Sequence, residues 1–195
     1  MKIPCADCGA MILPETAARN EGLCVPCKTG TRADIEASKI AAKRQRELEA
    51  TDPFIIYWRE LIDRIFKTEA GLDSLSTIER QYWAVGCVSG EVYNGGFEQY
   101  FFNSAGSTYL DAVDGLEAMG AEASLRLLQE AKQVVFGIGD VPKDTEARRE
   151  HLATFEDEVM RDRLDPLDRK FCEDPDKLGK LSEVFAIKHG LVQGN

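Results

Sequence analysis

Four of the six cysteines stand in two pairs, Cys5-x2-Cys8 and Cys24-x2-Cys27, with fifteen residues between the pairs. No other feature restricts the first thirty residues so tightly. Each Cys-x-x-Cys turn aims two thiolates at one point, and two such turns close a tetrahedral shell of four sulfurs. Gly9 supplies permissive backbone behind the first pair, Met11 to Leu13 reads as a short strand, and Asn20-Glu21-Gly22 as a turn before the second pair. Four thiolates leave no open coordination position, so a bound metal is expected to be structural. Zinc is the expected metal, with an iron–sulfur cluster or a redox pair as the alternatives. So short a segment cannot bury enough apolar surface to fold alone, and the metal would stabilise it.

The rest of the chain reads as helix. Thr29-Gly30-Thr31 separates the cysteine module from Arg32–Ala50, a run of good helix formers with few large apolar residues, expected to be a solvated connecting helix. Its basic run, Lys43-Arg44-Gln45-Arg46, is followed at once by Glu47 and Glu49 and reads as a solvated face. Asp52-Pro53 starts a helix whose apolar stripe is Phe54, Trp58, Leu61, Ile62 and Ile65, with Gly71 as its end. Ser76 and Glu79 form a capping box for the next. Tyr109 to Met119, ended by Gly120, and Ala121–Phe136 are two more. A helix from Asp144 or Thr145 to about Arg163 is expected to turn Leu152, Phe155 and Val159 inward, then a short piece capped by Asp165-Pro166, then a last helix capped by Asp174-Pro175. No alternating strand pattern occurs after residue 50. The expected fold is all-α: a helical bundle domain over 51–195, a four-cysteine zinc-ribbon or finger over 1–30, and a helical linker over 31–50.

A central stretch from Glu91 to Gly106 carries five of the fourteen Phe and Tyr side chains. Asn94-Gly95-Gly96 is a breaker. A preceding helix is expected to end near Val92, and Phe97, Tyr100 and Phe101 then fall at helical spacing up to the stop at Asn103. The expectation is a short aromatic helix plugging the core. Gln99 and Asn103 form an i, i+4 amide pair whose expected partners are the backbone groups of the Asn-Gly-Gly turn. Cys87 is expected to be a buried thiol.

Charge is unevenly placed. Residues 1–50 hold eight Lys and Arg against seven Asp and Glu, whereas residues 51–195 hold sixteen against twenty-seven, a formal -11. Such a domain repels the nucleic-acid backbone and attracts basic partners. Direct nucleic-acid binding by the acidic domain is therefore not expected. No apolar run approaches the roughly 20 residues of a membrane span, and no signal-peptide core opens the chain, so a cytoplasmic protein without membrane contact is expected. The two histidines, His151 and His189, read as surface or boundary residues. No nucleophile elbow, metalloprotease helix, phosphate loop or dinucleotide fingerprint is present, and Gly137 to Pro142 is only a turn. The chain is not expected to be an enzyme.

The run Asn94-Gly95-Gly96-Phe97-Glu98-Gln99-Tyr100-Phe101, followed by Asn103-Ser104-Ala105-Gly106, resembles the signature of a bacterial domain family named for DNA mimicry. The resemblance covers about residues 52–190. It implies an all-helical fold and binding to a DNA-binding protein, such as a transcription regulator or nucleoid protein, through carboxylates arranged like phosphates. Asn94, Gly95, Gly96, Phe97, Gln99, Tyr100 and Asn103 carry the fold motif and not the mimicry. Candidate partner-binding carboxylates come from helical spacing: Asp111, Asp114 and Glu117 on one helix, and Glu146, Glu150 and Asp157 on another. The alternatives are a generic interaction module of inhibitor or immunity type with a structural zinc finger, and nucleic-acid binding led by residues 1–50. The cysteine pattern itself resembles small bacterial four-cysteine fingers that lead into a helix.

Overall fold

The computed structural model describes residues 1–193 and, within them, every side chain but that of Asp157. The chain divides into two compact units, Met1–Asp52 and Pro53–Asn195. The first opens on two short strands, β1 (Ile3–Pro4) and β2 (Met11–Ile12), paired antiparallel with Ile3 opposite Ile12 and Pro4 opposite Met11. Helix α1 (Pro14–Arg19), unanticipated, begins on a proline, whose fixed φ and missing N–H suit a first turn. Helix α2 (Val25–Lys28) carries Cys27, and α3 (Arg32–Glu49) runs for 18 residues without burying one. Salt bridges from Glu36 to Arg32 and Lys39, and from Lys43 to Glu47, lace its surface.

The second unit is all helix: α4 (Pro53–Lys67), α5 (Thr77–Phe102), α6 (Tyr109–Met119), α7 (Glu122–Phe136), α8 (Thr145–Leu152), α9 (Asp157–Cys172) and α10 (Leu178–Lys188). With the two-strand ribbon as the only sheet among the described residues, the all-α expectation holds. Helix α5 is the axis, and Val85, Val88, Phe97, Tyr100 and Phe101 on it are wholly or almost wholly excluded from water. Each such side chain contributes about 1.5–3 kcal/mol on burial.

The Ser76 capping box is present. Glu79 N donates to Ser76 Oγ and Ser76 N to Glu79 Oε2, at 3.3 and 2.8 Å. Glu79 also pairs with Arg64 and accepts from the Tyr57 hydroxyl at 3.0 Å. Burial alone would push its carboxyl up; the Arg64 guanidinium and the Ser76 donors outweigh it and hold the group down at about 2. Between that value and the ordinary 4.5 the unfolded chain binds the proton and the folded one does not. Stability from this group is thus full above the unfolded value and lost as pH falls through the folded one. Urea midpoints should fall over that window, and Glu79→Gln should flatten the dependence there.

Within α5 the helix does not end near Val92. It continues to Asn94 and breaks at Gly95 (φ -161°) and Gly96 (φ 79°, ψ -179°), a conformation essentially confined to glycine. The break frees the Phe97 N–H, which donates to Asp168 Oδ1 of α9 at 2.8 Å. Asp168 thus caps the aromatic helix across space, an anion at the positive end of its dipole. A Cβ on Gly96 would lie 2.3 Å from Asp168 Oδ2. Gly96→Ala should therefore cost ~3 kcal/mol by combining backbone strain with loss of the cap. Chemical denaturation checks this against Gly95→Ala, whose Cβ meets the Gln99 side chain, 2.2 Å from Oε1 and 3.2 Å from its Cβ, and not the Asp168 carboxylate.

At the other end of the aromatic helix stands Arg148, fully buried. Its Nε donates to Phe101 O at 2.8 Å, Nη1 to Pro142 O and Lys143 O at 2.8 Å each, and Nη2 to Asn103 O and Thr145 Oγ1 at 2.7 and 3.1 Å. The amide pair is held differently from expectation. Gln99 Nε2 and Asn103 Nδ2 both donate to Glu91 Oε2, at 2.6 and 2.8 Å, rather than to the Asn-Gly-Gly backbone. A carboxylate oxygen has two acceptor directions and serves both amides at once.

The helix expected from Thr145 to Arg163 is two helices. It stops at Leu152, where Thr154 Oγ1 bonds back to His151 O at 2.7 Å, and restarts at Asp157. An unbroken helix would set Met160 about 80° round from Leu152. The break restores register, so Leu152, Met160, Leu164, Leu167 and Phe171 all reach the core, while Val159 turns outward at 46% exposure. Pro166 does not start a new piece; it lies inside α9 on the exposed side, where water reaches the carbonyl its ring leaves free. The Asp174 carboxylate does cap α10, accepting from Leu178 N at 2.8 Å.

Candidate functional site

In the first unit the β1–β2 turn and the N-terminus of α2 bring the Sγ atoms of Cys5, Cys8, Cys24 and Cys27 within 4.8 Å of one another. Cys5 and Cys24 are buried, Cys27 is half-buried and Cys8 exposed. Cys8 Sγ and Cys24 Sγ are 3.7 Å apart. That is far from a disulfide at about 2.0 Å. It fits the edge of a tetrahedral thiolate shell, about 3.8 Å for metal–sulfur bonds of ~2.3 Å. Backbone N–H groups point at the sulfurs: Cys24 N donates to Cys5 Sγ at 3.2 Å. Donation from the Cys8 and Cys24 backbone pulls the Cys5 thiol down to about 6, so it is largely thiolate at neutral pH. Arg32, at the start of α3, places Nη2 2.9 Å from Cys24 Sγ and offsets negative charge there. The four residues are thus compatible with a metal centre.

In the second unit Asp111, Asp114 and Glu117 share α6. Asp111 is half-buried and lies 3.7 Å from Arg80 Nε. Asp114 and Glu117 are exposed, without an ion pair among the described residues. No Lys or Arg occurs between Asn103 and Leu125, so nothing on α6 itself neutralises them. A family model described as DMP19-like protein matches residues 73–189. The chain belongs to the DMP19-like family. The match lies wholly inside the second unit and leaves the four cysteines outside it. The family is one of DNA mimics. No curated protein and no solved structure matches the chain significantly.

The other candidate carboxylates of the DMP19-like unit do not form one row. Glu146 and Glu150 are exposed on α8, and Glu146 bonds Arg149 at 2.8 Å. Asp157 belongs to α9, beyond the break, and its side chain lies outside the described residues. Sequence spacing passed over Glu158, Asp162 and Asp165, exposed on α9 at i, i+4 and i+7 and without ion pairs among the described residues. Arg161 stands on the same face of that helix. His151 is half-buried, its Nε2 2.8 Å from Val135 O and its ring stacked on Phe136, while His189 packs on Phe185. Cys87 is only half-buried by surface, yet burial and the Glu91 charge push its thiol up to about 12. No helix among the described residues is long and apolar enough to cross a membrane.

Proposed function

We propose that this is a non-enzymatic acidic binding protein whose helical unit occupies the DNA-binding surface of a transcription regulator or nucleoid protein, and whose cysteine module holds a structural zinc. The observation that carries the reading is α6: a helix of a DNA-mimic family with exposed Asp114 and Glu117, unpaired among the described residues, and no cation of its own. Asp111, Asp114 and Glu117 span about 9 Å of helix axis. One charge per ~4.5 Å is sparser than a DNA strand, which carries one per about 3.4 Å. A single helix therefore imitates part of a strand. Cys5, Cys8, Cys24 and Cys27 would hold the zinc, which cross-links two turns and takes no part in any reaction.

The test is direct. DNA-binding proteins enriched on immobilised duplex are offered to the immobilised protein at low and high salt. Retention at low salt, loss at high salt and release by free duplex are expected. Asp114→Asn with Glu117→Gln should weaken retention and flatten its salt dependence. Retention that ignores both salt and duplex would replace mimicry with a generic interaction module.

A further inference from the structure

A groove of about 350 Å3 opens on the helical unit between α4, α5 and the turn at Ser104–Thr108. That is the small end of the range for ligand sites, roughly 300–1,000 Å3. Ile65, Phe66, Trp83 and Cys87 form much of its wall, and Glu91 is the one charged side chain among the described lining residues. Phe66 is 70% exposed and stands edge-on to Trp83, which itself stacks on Trp58 at 4.4 Å.

Glu91 is held and left incomplete at once. Gln99 and Asn103 occupy both acceptor directions of Oε2. Oε1 has no hydrogen-bond or ion-pair partner among the described residues. A half-buried carboxylate beside apolar walls, with one oxygen open to the groove and unshared with the protein, favours an incoming cation. Its shape selects which cation. A guanidinium binds a carboxylate best through two parallel bonds, which needs both oxygens. Here one is already filled. An ammonium is a point charge that a single oxygen can accept, on a four-carbon stem that packs along apolar surface.

We propose that this groove receives one lysine side chain of a basic protein partner, its stem along Ile65, Phe66 and Trp83 and its ammonium on Glu91 Oε1. The inference deepens the mimic reading and rests on it for the partner's basic character. It gives the motif amides Gln99 and Asn103 a role: they orient the carboxylate that receives the cation.

Nα-acetyl-lysine N-methylamide, its arginine counterpart and the uncharged norleucine counterpart are titrated into the full-length protein while tryptophan fluorescence is followed. Trp83 lines the groove and Trp58 is the only other tryptophan. The lysine compound should saturate, with the other two at least about tenfold weaker. Glu91→Gln keeps an oxygen for Gln99 and Asn103 and removes the charge; it should lose about tenfold for lysine alone. Phe66→Ala, at an exposed position, should weaken lysine and norleucine together. Equal binding of lysine and norleucine, equal or tighter binding of arginine, or unchanged lysine affinity in Glu91→Gln overturns the proposal. Should Glu91→Gln not fold, the three-compound comparison and Phe66→Ala decide it. Because these compounds need no partner, the groove can fail while salt-sensitive capture of DNA-binding proteins persists, and the reverse outcome would sink the mimic reading alone.

Discussion

Arg148→Met should lower unfolding stability by about 4 kcal/mol or more, a large part of the 5–15 kcal/mol typical of a domain. The guanidinium uses five donors on five acceptors, four of them carbonyls from Phe101, Asn103, Pro142 and Lys143. No carboxylate lies within ion-pair distance among the described residues, so these carbonyls and the Thr145 hydroxyl, with the more distant Asp144 charge, compensate the buried charge. Methionine fills similar volume but leaves the carbonyls of Phe101, Pro142 and Lys143 without a donor, at about 1–3 kcal/mol each where water cannot enter, while Asn103 O keeps the Gly106 N–H at 3.2 Å. Gly106 gives no relief, since even a Cβ there would lie 2.7 Å from Arg148 Nε. Lysine keeps the charge but has three donors for five acceptors, so Arg148→Lys should fall between wild type and Arg148→Met. Urea unfolding followed by far-UV circular dichroism gives the order. Equal stability of Arg148→Met and wild type would show that the network is not needed to close the aromatic helix.

What the sequence made legible follows from how local the signal is. The capping box at Ser76 and Glu79 spans four residues, and the α6 boundaries at Tyr109 and Gly120 rest on neighbours; both stand where expected. The cysteine spacing carries its geometry with it. Contacts across space left no such trace. Asp168 caps Phe97 from 71 residues away, and Asp176 accepts from Ser124 N at 2.7 Å to cap α7 from 52. In the sequence both look like ordinary surface acids. Arg148 sits in Arg148-Arg149-Glu150, which reads as a solvated face, and only the carbonyls at the end of α5 and at Pro142 and Lys143 draw it inside. Between Thr145 and Arg163 no Gly or Pro marks the break at Thr154, so a propensity reading runs straight through it. The Pro that follows, Pro166, points to a boundary that packing of Leu164, Leu167 and Phe171 overrides. The alternatives for the acidic residues divide the same way: helical spacing found α6, but could not tell that Asp157 sits beyond a break.

Removing the metal should unfold the first thirty residues and leave the helical unit standing. Among residues 1–52 the buried apolar side chains are Cys5, Ala17 and Cys24, and two of those are proposed ligands. A module with so little apolar burial has no other source of stability to hold two turns and a two-residue ribbon together. The core of the helical unit, by contrast, runs from Phe54 and Leu61 to Val192 and includes none of them. Purified protein should contain stoichiometric zinc and be colourless; a coloured, iron-bearing sample would favour the cluster alternative. Cobalt exchange should give the intense visible absorption of a tetrahedral thiolate site. On chelation, amide signals of Ala6, Gly9 and Gly22 should collapse toward random-coil positions, and protease should cleave within residues 1–30 while the fragment from Pro53 onward persists. Cys24→Ser should do the same without chelator, because it removes the buried sulfur that Arg32 contacts. Cys172→Ser, at an exposed cysteine of the other unit, should leave metal content untouched. Acid should mimic chelation, since protons compete with the metal for thiolates, and the loss should reverse on neutralisation with zinc present. If the module keeps its dispersed amide spectrum in chelator, the four sulfurs are held by the chain alone and the metal has no structural role.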